Sequence, residues 1–275
     1  MKLGYTLWGM PDVPVGESIP RLAAMGYQGV ELSVLPRWNT SLERLGPAER
    51  RLLRSVVATQ GLELTAISAH GSLLDPVRHD DAAWRLRGAV DLAAELDPTR
   101  PPVVVTGSGG TPEQWDAVKQ QLVDEFSTHC TYAGERGVTI AIEPHVGAAI
   151  DEPHEMRWLI ERVPGLRING DYSHFLGLGL SVADSMAPLT PWIVHTHVKG
   201  TRGRWPDHEF LTPGEDDFDY AAYLRAIRDA GYAGFSTVEV SVMVQRRPGY
   251  DPFAHARLGY HTLAAAFERA GIARA

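Results

Sequence analysis

The chain has 275 residues, 44% hydrophobic and 22% charged, without a low-complexity tract or a long block of like charge, which excludes a disordered or fibrous protein. A formal net charge of −8 argues against a surface built to grip a nucleic-acid backbone. The single Cys130 excludes an intrachain disulfide and any Cys-x-x-Cys metal site, which suits a reducing, cytoplasmic setting. The opening MKLGYTLWGMPDVP has one lysine and a short strand-like run broken by prolines, and reads as neither a signal peptide nor a membrane span.

In chain order, strands are expected at 2–8, 29–34, 62–68, 102–107, 138–143, 167–172, 192–198 and 235–240. Amphipathic helical stretches lie at 47–59, 80–96, 113–135, 154–162, 217–230 and 252–271. Helix starts are signalled by Thr111 before Pro112 and Glu113, by Asp151 before Pro153, and by Asp216 or Asp217 ahead of AAYLRAIRDAG. Eight strand–helix units in a chain near the ~250 residues typical of the architecture predict an α/β fold, one (β/α)₈ TIM barrel spanning 1–275 as a single domain. MGYQGVEL (25–32) and AGYAGFSTVEV (230–240) repeat a helix-stopping Gly-Tyr-x-Gly that leads into a strand bearing a glutamate.

A barrel of this kind builds its site at the C-terminal ends of its strands. Four consecutive late strands end on hard-metal donors: Glu143 in IAIEPH, Asp171 in INGDYSH, His197 in HTHVK and Glu239 in STVEV. Taken singly, a carboxylate at a strand end could cap the next helix and His197 could be a satisfied core histidine. Together, three carboxylates at one mouth repel one another and resist desolvation unless a cation or protons compensate them. Three carboxylates and an imidazole without a thiolate suit Mn²⁺, Mg²⁺ or Co²⁺ in an octahedral shell with two positions open, and a catalytic Zn²⁺ remains compatible. His195 lies two positions before His197 on the same face of its strand, one pleat deeper, where an interior hydrogen-bonding role behind the ligands is expected.

The four strand ends resemble the xylose isomerase-like sugar isomerase/epimerase superfamily, together with the Asp-x-x-His of DYSH (171–174), the His-x-His-x-Lys of HTHVK (195–199), TRGR (201–204) and the stretch 213–240. The resemblance covers essentially the whole chain, is densest from Glu143 to Glu239, and is weak for the substrate. It implies one divalent metal, Mn²⁺ first among the candidates, held by Glu143, Asp171, His197 and Glu239, with His174 contacting substrate. Endonuclease IV-like phosphodiester hydrolases of the same superfamily need a histidine on the fourth strand and an Asp-x-His after the seventh, and this chain has neither.

The reaction expected is proton abstraction beside a carbonyl of a ketose, aldose or keto-polyol, through an enediolate, with Glu143 and Glu239 as the two acid–base groups. Loss of a β-hydroxyl from the same intermediate would instead make a lyase, of the keto-inositol or dehydroshikimate dehydratase type or a C-glycoside-cleaving enzyme. His70, His145 and Trp8 are expected to contact substrate, and Lys199, Arg202 and Arg204 to hold a phosphate or carboxylate on it. Glu31 could point to the mouth or form a salt bridge. The connection 201–217 and the stretch 240–254 could cover the mouth or join a homo-oligomer interface. The partner expected is a small carbohydrate or polyol, with no nucleic acid and no membrane.

Overall fold

A computed structural model describes residues 1–274. Its strands are β1 (Lys2–Thr6), β2 (Gly29–Ser33), β3 (Glu63–Ser68), β4 (Val103–Gly107), β5 (Ile140–Glu143), β6 (Arg167–Asp171), β7 (Ile193–Val198), β8 (Gly200–Arg202), β9 (Glu209–Leu211) and β10 (Phe235–Val238). Its helices are α1 (Val15–Met25), α2 (Pro47–Thr59), α3 (His79–Leu96), α4 (Trp115–Gly134), α5 (Pro153–Ile160), α6 (Tyr172–Leu178), α7 (Val182–Ser185), α8 (Tyr220–Asp229), α9 (Val242–Gln245) and α10 (Pro252–Ala270). Strands β1 to β7 and β10 close a parallel barrel in the order β1-β10-β7-β6-β5-β4-β3-β2, the (β/α)₈ fold expected.

Helices cover the outside of the barrel and side chains fill its interior, so β2 is buried along its whole length and shows no alternation. Leu22, Leu53, Phe126, Leu224 and Phe267 are fully or almost fully buried in the layer between barrel and helices. Among the described residues, no helix is long and apolar enough to cross a membrane.

The structure departs from the sequence expectations at several junctions. Helix α1 escapes the periodic reading because Pro20 falls inside it, where a proline ordinarily breaks a helix, and because only Ser18, Ile19 and Leu22 form its buried face. The cap of α8 is Asp219, whose carboxylate accepts from Ala222 N, and not Asp216 or Asp217. Asp216 instead accepts from Thr201 N at 3.0 Å and from the Tyr220 hydroxyl at 2.8 Å, pinning the loop after β7. Glu152, one residue after Asp151, caps α5 in a capping box with Glu155. The connection 201–217 is an ordered antiparallel hairpin, with Gly200 opposite Leu211 and Arg202 opposite Glu209. The stretch after β10 closes over β1: Gln245 Nε2 donates to Trp8 O at 3.0 Å and the Tyr250 hydroxyl to Gly9 O at 2.7 Å.

Candidate active site

Register brings the strand ends level. Gly107 on β4 pairs with Glu143 on β5, Asp171 on β6 pairs with His197 on β7, and His197 pairs with Thr237 on β10, two residues before Glu239. The pairing of β6 with β7 shifts between Ile168 and Asn169, and this bulge aligns Asp171 with His197. Glu143, Asp171, His197 and Glu239 are all buried and present donor atoms within 4.8 Å of one another. His197 Nδ1 lies 3.0 Å from Glu239 Oε2 and 3.3 Å from Glu143 Oε2. Asp171 does two jobs: its Oδ1 accepts from Ser173 N at 2.9 Å as the cap of α6, while its Oδ2 faces the other carboxylates' side of the mouth, 2.7 Å from Lys199 Nζ.

The other nitrogen of His197 is fixed from behind. Its Nε2 and that of His195 each lie 2.7 Å from the same oxygen of Glu31, Oε2, while Glu31 Oε1 accepts from the Thr6 hydroxyl at 2.9 Å. An ionised carboxylate only accepts, so both imidazoles donate from Nε2 and His197 turns Nδ1 to the site. Burial alone would raise the Glu31 carboxyl, but His197 and His195 outweigh it and hold it well below the ordinary range. Both alternatives for Glu31 hold: it lines the cavity at the mouth and pairs with the two histidines of β7.

Lys199 is not the anion grip that its place after β7 suggested. Its side chain is buried among the carboxylates, 2.7 Å from Asp171, 3.1 Å from Glu239 and 3.9 Å from Glu143. Burial disfavours the ammonium, yet Asp171, Glu239 and Glu143 together push its pKa up, so it stays charged. Burial likewise works against ionised Glu143 and Glu239; His145 and His197 hold the first low, Lys199 and His197 the second. Glu143 Oε1 is buried with no hydrogen-bond partner. An oxygen-rich donor set with an orphaned carboxylate oxygen fits a divalent cation with hard-ligand preference.

Above these groups lies a cavity of about 290 Å³, lined among others by Trp8, Glu31, His70, Glu143, His145, His197 and Glu239. Trp8 packs against Trp38 with centroids 4.5 Å apart and planes tilted by 31°, and meets His70 edge to face at 5.8 Å. His70 Nε2 lies 3.3 Å from Glu143 Oε2, His145 Nε2 3.8 Å and His174 Nε2 3.5 Å from Glu143 Oε1. Burial lowers both His145 and His174 to about 4, so both are neutral near pH 7. The hairpin contributes Phe210, edge-on to His174 at 4.9 Å.

Two further expectations are corrected by position. Arg202 is exposed, donates to Glu215 O at 3.1 Å and lies 3.6 Å from Glu209; Arg204 is exposed and reaches back over Gly179. Neither lines the cavity, because the antiparallel hairpin turns both outward. Trp205 packs over the positive-φ Gly147; a Cβ at residue 147 would meet its indole at 2.6 Å, so only glycine fits both the turn and the contact. Sequence reading missed Asn169, whose amide donates to Glu143 Oε2 at 3.1 Å and lies 3.0 Å from His197 Nδ1. It stands two residues before Asp171, the same spacing that singled out His195 behind His197, so the signal was present in INGD.

A profile described as Xylose isomerase-like TIM barrel matches residues 19–257. The chain belongs to this family. Within the xylose isomerase-like barrels it is 26% identical over 178 residues to a 3-dehydroshikimate dehydratase of Bacillus anthracis, a match covering 63% of this chain and 62% of that enzyme. It is 20% identical to the fructoselysine 3-epimerase of Shigella flexneri, over 90% of this chain and 93% of the epimerase. The crystal structure of the IOLI protein with a bound zinc atom superposes with a TM-score of 0.80 at 17% identity, over 98% of this chain and 99% of that one, which establishes the shared fold. The relatives of this xylose isomerase-like barrel are thus enzymes, an epimerase and a dehydratase among them.

Proposed function

We propose that this protein is a divalent-metal-dependent isomerase or epimerase of an uncharged ketose or keto-polyol. The observation that carries the reading is that Glu143 and Glu239, both buried and both held as carboxylates, line one cavity and lie within 3.3 Å of the same His197 nitrogen. A cation held by Glu143, Asp171, His197 and Glu239, with Mn²⁺ best suited to that donor set, would supply Lewis acidity to a carbonyl at the mouth. One glutamate removes the proton beside the carbonyl and the other returns it. Neutral His145 and His174 offer hydrogen bonds to substrate hydroxyls, and Trp8, braced by Trp38, supplies an apolar wall for a sugar ring. Among the described residues lining the cavity there is no lysine or arginine and three are glutamates, Glu31, Glu143 and Glu239, a lining that disfavours a phosphate or carboxylate on the substrate. The small volume favours a single sugar ring.

The test is proton–deuterium exchange in D₂O into a panel of ketoses and keto-inositols and their phosphates, with Mn²⁺, comparing the native protein with Glu239→Gln. Exchange into uncharged members alone, dependent on the cation and abolished in the variant, is expected. Exchange confined to the phosphates would overturn the substrate class. A dehydrated product would convert the enzyme to a lyase that shares the first step.

A further inference from the structure

Ala82, Leu86, Ala89, Val90 and Ala93 turn one side of α3 to the barrel. On the opposite side Asp80, Trp84, Arg87 and Asp91 are exposed at steps of four, three and four residues, which keeps them in one stripe. Trp84 is 51% exposed, and Val77, two residues before the helix, is 90% exposed. Beside Trp84 lies a cleft of about 390 Å³ whose lining includes Arg87 and Gly88, and Gly88 brings no side chain to fill it. A half-exposed tryptophan next to an open cleft is the composition of an interface centre, not of a solvated helix face.

The charges on the stripe decide what fits it. Asp91 is already taken, accepting from the Tyr132 hydroxyl at 2.8 Å and from Arg136 Nε at 2.7 Å. Arg87 forms no ion pair among the described residues, and its guanidinium lies 5.5 Å from the centre of the Tyr132 ring. Asp80 is fully exposed and, among the described residues, pairs only with the imidazole of its neighbour His79, at 3.2 Å. The stripe thus holds one available acid a turn before Trp84 and one available base a turn after it. With a rise of about 1.5 Å per residue, Asp80 stands about 6 Å before Trp84 and Arg87 about 4.5 Å after it. Two copies of α3 crossing antiparallel at Trp84 therefore bring each Asp80 nearly level with Arg87 of the other copy. A parallel crossing would set acid against acid and base against base. Helical side chains lean toward their own N-terminus, so in the antiparallel pair each indole lies over the cleft beside Gly88 of the other copy.

We propose that this face of α3 docks a second copy of the chain, in a two-fold dimer centred on Trp84 with two Asp80–Arg87 pairs across the axis. The face belongs to the third strand–helix unit and not to 201–217 or 240–254, the stretches that the sequence suggests for an interface. One helix crossing is a small interface, so an exchanging dimer of micromolar affinity is expected.

The test is sedimentation velocity of the full-length protein from about 1 to about 200 µM, a range that brackets micromolar affinity. The weight-average mass should rise from the chain's 30.1 kDa toward twice that value. Trp84→Lys should weaken association at least about 30-fold, the scale of a central tryptophan. Asp80→Lys and Arg87→Glu should each weaken it about tenfold, and the two together should recover most of the loss, because the reversed pair attracts again. Melting curves confirm that each variant is folded, and Trp84→Lys carries the test alone if a charge variant melts early. A protein that stays monomeric over the whole range would overturn the proposal. So would a dimer that Trp84→Lys leaves intact, which would place the interface elsewhere, or a double reversal that associates no better than either single one, which would refute the antiparallel pairing. These outcomes read assembly alone and are independent of the reaction proposed above.

Discussion

Glu31→Gln probes the least expected part of the site, a carboxylate that lines the cavity floor and holds the two histidines of β7. Glu31 is fully buried, and its two oxygens take three donors, His195 and His197 on one and Thr6 on the other. Glutamine keeps one accepting oxygen and sets an amide N–H where the other stood, so either the histidine pair or Thr6 faces a donor. Loss of the partner that orients a ligating histidine typically costs about 10–100-fold in metal affinity, or about 1.4–2.8 kcal/mol. The unsatisfied buried group should also lower folding stability by about 1–3 kcal/mol. The assay is Mn²⁺ affinity at fixed pH by calorimetry on stripped protein, with a thermal melt alongside. A folded Glu31→Gln protein with native Mn²⁺ affinity would refute the idea that Glu31 sets the imidazole of His197.

Lys199→Met removes the ammonium that compensates Asp171 and Glu239; the metal-free protein should lose about 3–5 kcal/mol of stability, while added Mn²⁺ raises its melting temperature more than that of the native chain. Equal Mn²⁺-induced shifts in the two proteins would contradict this. Phe126→Ala empties a fully buried site between barrel and helices and should cost about 3–5 kcal/mol in denaturant unfolding, without changing metal stoichiometry. Hydrogen bonds to Asp80 and Glu125 raise the His79 pKa above the ordinary histidine value, so the folded state holds that proton more tightly than the unfolded chain. Its stabilisation is full below the ordinary value and fades as pH rises through the raised one. The gap in melting temperature between native protein and His79→Gln should accordingly be wider near about pH 5.5 than near about pH 9, and a gap that grows with pH would show the sign to be wrong.

Much of the molecule could be read before folding because its chemistry repeats with its period. Strand, helix and turn alternate eight times, and the last position of each late strand is where a parallel barrel gathers its polar groups, so Glu143, Asp171, His197 and Glu239 could be paired without knowing one distance. His195 was legible for the same reason: residues two apart in a strand share a face. Asn169 obeys that rule as well, and went unread because an amide lacks the charge that drew notice to its neighbours.

What the sequence by itself determined was the barrel and the identity of the groups at its mouth, since both follow from local periodicity. Tertiary structure decided what each group faces. Lys199 and Arg202 are three residues apart, yet β7 directs the first into the carboxylates and the hairpin turns the second to solvent. Glu31 meets His197 only because the closed barrel brings β2 across from β7, 166 residues away along the chain. A sheet closed on itself places side chains from distant strands in contact, and that distance is set by register and curvature, which no stretch of sequence carries alone.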